Sequence, residues 1–257
     1  MKCLTLALLS LSLAASQAQP GPGRASFEVA SIRPATPGPN GVQSGCRGVD
    51  SKYGPNESPP PLGRCVITDA RLSHLIGFAW KLNTMSMIQN APDWVIRGDE
   101  RFNVQAKAED PRATEAQLLG MLQSLLEERF LLKYHRDIHE EQGYALVVGK
   151  NGLKLRKSSD SEVETLGPSF RKGDPTVKIA ARKYTMAMLA SFLSTFGPGN
   201  VKDETGLPDF YDIDLTWNEA EGPSVLTAVQ QLGLRLEPRK IPVSYFVIDS
   251  AQRPSDN

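Results

Sequence analysis

Apolar residues recur along this chain with two periods, and the clearest stretch is Pro92 through Lys107, PDWVIRGDERFNVQAK. Phe102, Val104 and Ala106 alternate there with polar neighbours, the period-two pattern of a half-buried strand, behind a Pro-Asp-Trp turn. An echo returns at Pro208-Asp209-Phe210, followed by Tyr211, Ile213, Leu215 and Trp217 in the same alternation. The rest of the chain falls into order around these two segments. Phe27 to Pro34 reads as a short strand stopped by proline, and Cys65 to Thr68 as another. Asp69 is placed to cap a helix bearing Leu72, Leu75, Ile76, Ala79 and Leu82 at helical spacing. Met85 to Gln89 predicts a strand before the Pro92 turn. Thr114 and Gln117 form a capping box ahead of Leu118, Met121, Leu122, Leu125 and Leu126. Two closing strands follow, Phe130 to Arg136 and Tyr144 to Val148.

The order then starts again. Val177 to Ala181 predicts a strand, and Met186, Leu189, Ala190, Leu193 and Phe196 a helix face. The Tyr211 strand follows, then a short helix with Val225, Val229 and Leu232, which Gly233 can cap. Leu234 to Leu236 and Val243 to Ile248 close the second unit. Leu72, Leu75 and Phe78 match Met186, Leu189 and Phe192 at one constant spacing, so the chain reads as duplicated. The expected fold is α+β: two tandem βαββαββ-like domains, each with two helices packed on small mixed sheets. The first covers residues 19–150 and includes a Pro/Gly-rich loop, 34–64, whose composition excludes regular structure. Residues 151–175 are polar and aperiodic, a linker; 176–250 form the second domain; 251–257 are a polar tail.

Residues 1–18 stand apart. Lys2, the apolar run Leu4 to Ala15 and Ser16-Gln17-Ala18 have the layout of a signal peptide cleaved after Ala18. Export to the periplasm or the extracellular space is therefore expected, with no membrane span after cleavage. That compartment makes Cys46 and Cys65 a disulfide pair rather than reactive thiols, closing a loop of about 20 residues. The chain has 29 basic and 29 acidic residues. This balance argues against a nucleic-acid or anionic-membrane binder.

Candidate chemistry is thin. Asp93, Asp99 and Glu100 could pair for acid/base work, yet they flank a turn where Asp and Gly serve backbone geometry. His135 and His139, beside Glu140 and Glu141, would share a metal on a helix, but four residues along a strand span ~13 Å. His74 is isolated among apolar helix positions. Asp212 and Asp214 fall on the polar face of the Tyr211 strand, a solvated face rather than a calcium site. No nucleophile-elbow, zinc-protease, Walker or dinucleotide motif occurs. No cofactor is implied.

Several short motifs carry a family resemblance: Phe27-Glu-Val-Ala-Ser-Ile-Arg-Pro34, Ala91-Pro-Asp-Trp94, Arg101-Phe-Asn-Val104, Met121-Leu-Gln-Ser-Leu-Leu126 with Arg129-Phe130, Tyr144-Ala-Leu-Val-Val148 and Val247-Ile-Asp249. In order, they resemble a soil-associated family of uncharacterised exported proteins, expanded in acidobacteria, that shares a domain of unknown function. Members of it also occur behind membrane metallopeptidases of the β-lactam-sensor type, which implies an envelope setting. The element order is similar to the amino-terminal domains of secretins and TonB-dependent receptors, which are contact modules and not enzymes. The resulting expectation is a non-enzymatic binding module for an envelope protein or peptide. The alternative is a hydrolase or carbohydrate-active protein with an inter-domain site using Asp93, Asp99, Glu100 or His135.

Overall fold

The computed structural model describes residues 25–254 apart from 40, 54–57, 83, 160–164, 170–174, 219, 221 and 223. The expected signal peptide, and parts of the expected linker and tail, lie outside the described residues. The chain is α+β, as its alternating periods predict. The first half runs β1 (Val29–Ala35), β2 (Gln43–Arg47), β3 (Arg64–Ala70), α1 (Leu72–Ala79), β4 (Ile88–Gln89), α2 (Asp93–Ile96), β5 (Arg101–Lys107), α3 (Glu115–Arg129) and β6 (Lys133–Val148). The second runs β7 (Arg156–Lys157), β8 (Thr165–Ser169), β9 (Thr176–Tyr184), α4 (Met186–Phe196), β10 (Val201–Asp203), β11 (Tyr211–Asn218), α5 (Val225–Ala228) and β12 (Leu234–Ser250).

Local signals explain most of these elements. Phe102, Val104 and Ala106 are the buried face of β5, and Tyr211, Ile213, Leu215 and Trp217 that of β11. At the start of α3 the Thr114 hydroxyl accepts from the Gln117 backbone N–H while the Gln117 side chain accepts from the Thr114 N–H, so two orphan donors are satisfied reciprocally. Gly233 ends the helical turns after α5 with φ +75°, and a Cβ there would collide with the Gly152 carbonyl oxygen.

Other elements depart from the pattern. The Pro/Gly-rich excursion contains β2, which pairs with β3 and sets Cys46 directly opposite Cys65 in a disulfide. The turn at Pro92 is a short helix, α2. Residues expected as a linker supply β7 and β8, both paired in the second half's sheet. Each pair of short closing strands is one long strand, β6 of 16 residues and β12 of 17.

Among the described residues the strands form three four-stranded sheets. β1-β5-β3-β2 belongs to the first half and β7-β11-β9-β8 to the second. The third, β10-β6-β12-β4, joins them, because β6 and β12 pair antiparallel from Leu234 opposite Val148 to Ser250 opposite Lys133. The short strands β10 and β4 lie parallel against its two outer edges, starting at Tyr144 and Phe246 respectively.

This ribbon exchanges strands between the halves. The first core, built on Leu72, Leu75, Ile76, Leu118, Leu122, Leu126 and Phe130, is completed by Phe246 and Ile248 from the end of β12. The second, built on Leu189, Leu193, Ile213, Leu215 and Trp217, takes Leu146 from the end of β6. The two outer strands of the ribbon are placed alike about its middle. β4 meets β12 at Phe246 as β10 meets β6 at Tyr144. Residues four back from each, Pro242 and Glu140, face each other across the ladder.

Candidate functional site

The β6–β12 ribbon enters the two cores at its ends, and most of its middle is exposed. At those ends the even-numbered side chains enter the cores: Tyr134, Phe246 and Ile248 in one, Leu146, Leu234 and Leu236 in the other. Between them His135, Arg136, Ile138, His139, Glu140 and Gln142 are all exposed, and Ile138 keeps 65 % of its surface in water.

The ladder fixes which backbone groups point away from it. Tyr144 donates its N–H outward to the Asn200 carbonyl at 2.8 Å, and the Leu146 carbonyl accepts from Glu204 N–H at 2.9 Å. Even-numbered residues of β6 therefore direct N–H and C=O to the outer edge, because ladder direction alternates residue by residue. Continuing back along the strand, Tyr134, Arg136, Ile138, Glu140 and Gln142 do the same. Among the described residues β6 has no outer partner strand before Tyr144. Where β10 arrives, Gly143 permits the close approach, since a Cβ on it would collide with the Asn200 carbonyl oxygen.

The corresponding edge of β12 differs. Counting back four and eight residues from Phe246 gives Pro242 and Pro238, whereas the same count from Tyr144 gives Glu140 and Arg136. Proline has no N–H to donate and is confined to edge strands. Two of the outward donors of β12 are thus deleted, while β6 keeps all of its own. The signal was present in the sequence, as two prolines within an alternating strand pattern, but it acquires meaning only once the pairing partner is known.

The odd-numbered face of the ribbon carries a run of polar contacts. His135 Nδ1 lies 2.8 Å from Asp249 Oδ1, and His139 Nε2 lies 2.9 Å from Asp137 Oδ2. The His139 bond holds the Asp137 carboxyl below the usual carboxylate range. Tyr245 stands 5.2 Å from the His139 ring and donates its hydroxyl to Glu141, which together with burial raises the phenol above its usual range. Asn200 donates to the other Glu141 oxygen at 2.8 Å. Among the described residues no three His, Cys, Asp or Glu side chains gather as a metal site.

The four residues singled out in the sequence do not converge. Asp93 opens α2 and is exposed, as is Asp99. Glu100 is held by Arg253, whose guanidinium lies 5.1 Å from the Trp94 ring centroid. His135 sits on the ribbon. A cleft of about 310 Å³ does lie between the halves, floored by Arg136, Pro242 and Ser244 and walled by Trp80, Leu82, Asn200 and Lys202, but none of the four lines it. Asp212, expected in solvent, is 8 % exposed: the register shift between Tyr211 and Ile213 turns it inward, where it receives Arg156 and the Ser158 hydroxyl.

A second polar cluster escaped sequence reasoning. Asp69 does not cap α1; that position is Arg71, and His74 Nδ1 accepts the Arg71 N–H at 3.2 Å. Asp69 instead occupies an irregularity in β3 at φ +56°. Its carboxylate accepts the Gly38 N–H at 3.0 Å and lies 3.5 Å from Arg101 Nε, beside a cavity of about 580 Å³ lined by Pro34, Thr36, Gln43, Thr68 and Asn103. Arg71 and Arg101 both donate to the Gly98 carbonyl.

Burial first, and then the charges of Arg71 and Arg101, push the His74 imidazole below its ordinary range. An unfolded chain then binds this proton more readily than the folded one, so stability contributed by neutral His74 is lost as pH falls through the ordinary imidazole range. Urea unfolding between about pH 7 and 5.5 is expected to show a smaller loss of stability in His74→Gln than in the unaltered chain.

Among the described residues no helix is long and apolar enough to cross a membrane. No curated protein and no solved structure matches the chain. The family model described as "Protein of unknown function (DUF3738)" matches residues 73–251, from the start of α1 to the end of β12, and so takes in both halves and the ribbon that joins them. The chain belongs to this family of proteins of unknown function.

Proposed function

We propose that this protein is a non-enzymatic interaction module of the bacterial cell envelope that accepts an extended segment of an envelope protein or peptide along the outer edge of β6. The observation that carries the reading is the asymmetry of two otherwise equivalent edges. Strand addition draws its affinity from backbone donors and acceptors on an open edge, and exposed edges are ordinarily blunted by proline or charge. Pro238 and Pro242 delete two donors of β12; β6 keeps the donors and acceptors of five outward positions from Tyr134 to Gln142, and its charges at Arg136 and Glu140 restrict which strand can join. The leader-like residues 1–18 and the Cys46–Cys65 disulfide support an exported setting.

Glu140→Pro copies the β12 pattern onto β6. Because the Glu140 N–H points outward, proline there removes no ladder bond to β12. The melting temperature is expected to stay within a few degrees, as for a surface substitution. Peptides selected from a displayed library on the unaltered protein are expected to bind the variant at least ~10-fold more weakly, through the lost hydrogen bond and the steric block of the ring. Hydrogen exchange should show the amides of residues 134–142 protected by those peptides. Selected peptides that bind Glu140→Pro undiminished, with no such protection, would remove this reading.

A further inference from the structure

We propose that the strand which adds to this edge is β6 of a second copy of the chain, forming a two-fold dimer centred on Ile138. The inference rests on the β6 edge being a strand-accepting site and names its partner. A symmetric dimer uses one patch twice, so two edges related by a two-fold axis must run antiparallel and the patch must complement itself.

The residues around Ile138 do so. In antiparallel pairing about that residue, Arg136 faces the second copy's Glu140, Asp137 faces its His139 and His135 faces its Glu141, each contact occurring twice; Tyr134 meets Gln142, and Ile138 meets itself. Every ionisable side chain from His135 to Glu141 thereby meets one of opposite charge or, for the imidazoles, a carboxylate. Neighbouring registers lack this property. Centring on Arg136 sets Arg against Arg, and on Asp137 sets Asp against Asp. Centring on His139 sets Asp137 against Glu141, and on Glu140 sets Glu against Glu. Like charges directly opposite one another across strands are destabilising. Of these five registers only the Ile138 one has no such clash, so the charge pattern that would repel an arbitrary strand selects one partner in one alignment.

The backbone agrees with the charges. Even-numbered residues point outward, and the Ile138 register pairs even with even, so Tyr134, Arg136, Ile138, Glu140 and Gln142 each exchange hydrogen bonds with their counterparts. Ile138, with 65 % of its surface exposed, lies at the centre, where the pairing shields it from water. Arg136 rests over the Phe246 ring at 5.2 Å, and among the described residues neither it nor Glu140 forms an ion pair within the chain. Both charges are thus left for a partner. β10 ends the free edge at Tyr144, which limits the pairing to the stretch whose charges match. Pro238 and Pro242 deny the same association to β12, so the assembly closes at two copies and does not propagate.

The test is a charge exchange read by sedimentation equilibrium. The purified protein is expected to reach a monomer–dimer equilibrium. Arg136→Glu and Glu140→Arg are each expected to weaken the dimer by ~10- to 100-fold, since each replaces two attractive cross-strand pairs by two repulsive ones. Mixing the two variants in equal amounts should restore the dimer, because one copy then carries acids at both positions and faces a copy that carries arginine at both. The double variant Arg136→Glu/Glu140→Arg should restore it within one chain. Arg136→Glu also gives up the contact with Phe246, so near-ultraviolet circular dichroism checks its fold. Among the described residues Glu140 forms no ion pair, so Glu140→Arg carries the test alone if Arg136→Glu misfolds. A protein that stays monomeric up to ~1 mM, or single variants that dimerise as well as the unaltered chain, would overturn the proposal. A monomer whose selected peptides are still lost on Glu140→Pro would leave the strand-accepting edge standing and remove the second copy as its occupant.

Discussion

Phe246→Ala is expected to lower the stability of the protein by about 3–5 kcal/mol, the usual cost of truncating a fully buried phenylalanine. Phe246 is 0 % exposed, stacks on Tyr134 at 4.2 Å between ring centroids and meets the edge of Trp80 at 4.9 Å. Its removal takes away transfer energy and also the surface on which α1 rests through Trp80. The Trp80 indole donates to the Tyr134 hydroxyl at 3.0 Å, so a shift of either ring strains a half-buried hydrogen bond as well. Although Phe246 belongs to the last strand, the disturbance should appear in the first half. Urea unfolding monitored by tryptophan fluorescence measures the loss. Hydrogen exchange should show amides of α1 and α3 opening before those of β11, and uniform protection across both halves would contradict this account of the exchanged strands.

Replacing Cys46 and Cys65 together by alanine is expected to cost about 3 kcal/mol, from the chain entropy that the bridge removes from the unfolded state. The sequence separation of the two residues is 19, and the segment between them is rich in proline and glycine. Among the described residues β2 is an edge strand paired with β3 alone, and the Tyr53 hydroxyl donates to its Cys46 carbonyl at 3.0 Å. Without the bridge, that excursion keeps its ladder but loses its covalent tether. Thermal unfolding of the double variant against the oxidised protein measures the cost, and limited proteolysis should cut first between residues 48 and 63. Cys65 is 0 % exposed and Cys46 3 %, so mild reductant should leave the folded protein bridged and break the disulfide only as it unfolds.

Elements with one wet face and one dry face were legible from residues alone. β5, β11, α3 and the Gly233 stop all followed from periodicity and local hydrogen bonding. The ribbon was not, for a physical reason. Asp137 to Gln142 is polar at every position but Ile138 because both sides of the strand meet water there, so no period-two contrast exists and the stretch reads as a loop between two short strands. The candidate site shares that difficulty. Arg136 and Glu140 look like ordinary surface residues until their counterparts are seen to be prolines, and that comparison needs the register of β6 on β12. Asp69 and Asp212 were misplaced by the same kind of cause, since each lies at a register irregularity that alternation cannot foresee.

The exchange of strands also has a consequence in time. Leu72, Leu118 and Phe130 are made well before Phe246 and Ile248, the β12 residues that seal the core they form. Contacts of such long separation form slowly, because the loop between them must first be closed. The first half therefore has no finished state of its own to reach while the chain is growing. It waits on the end of β12, so its folding is tied to that of the second half.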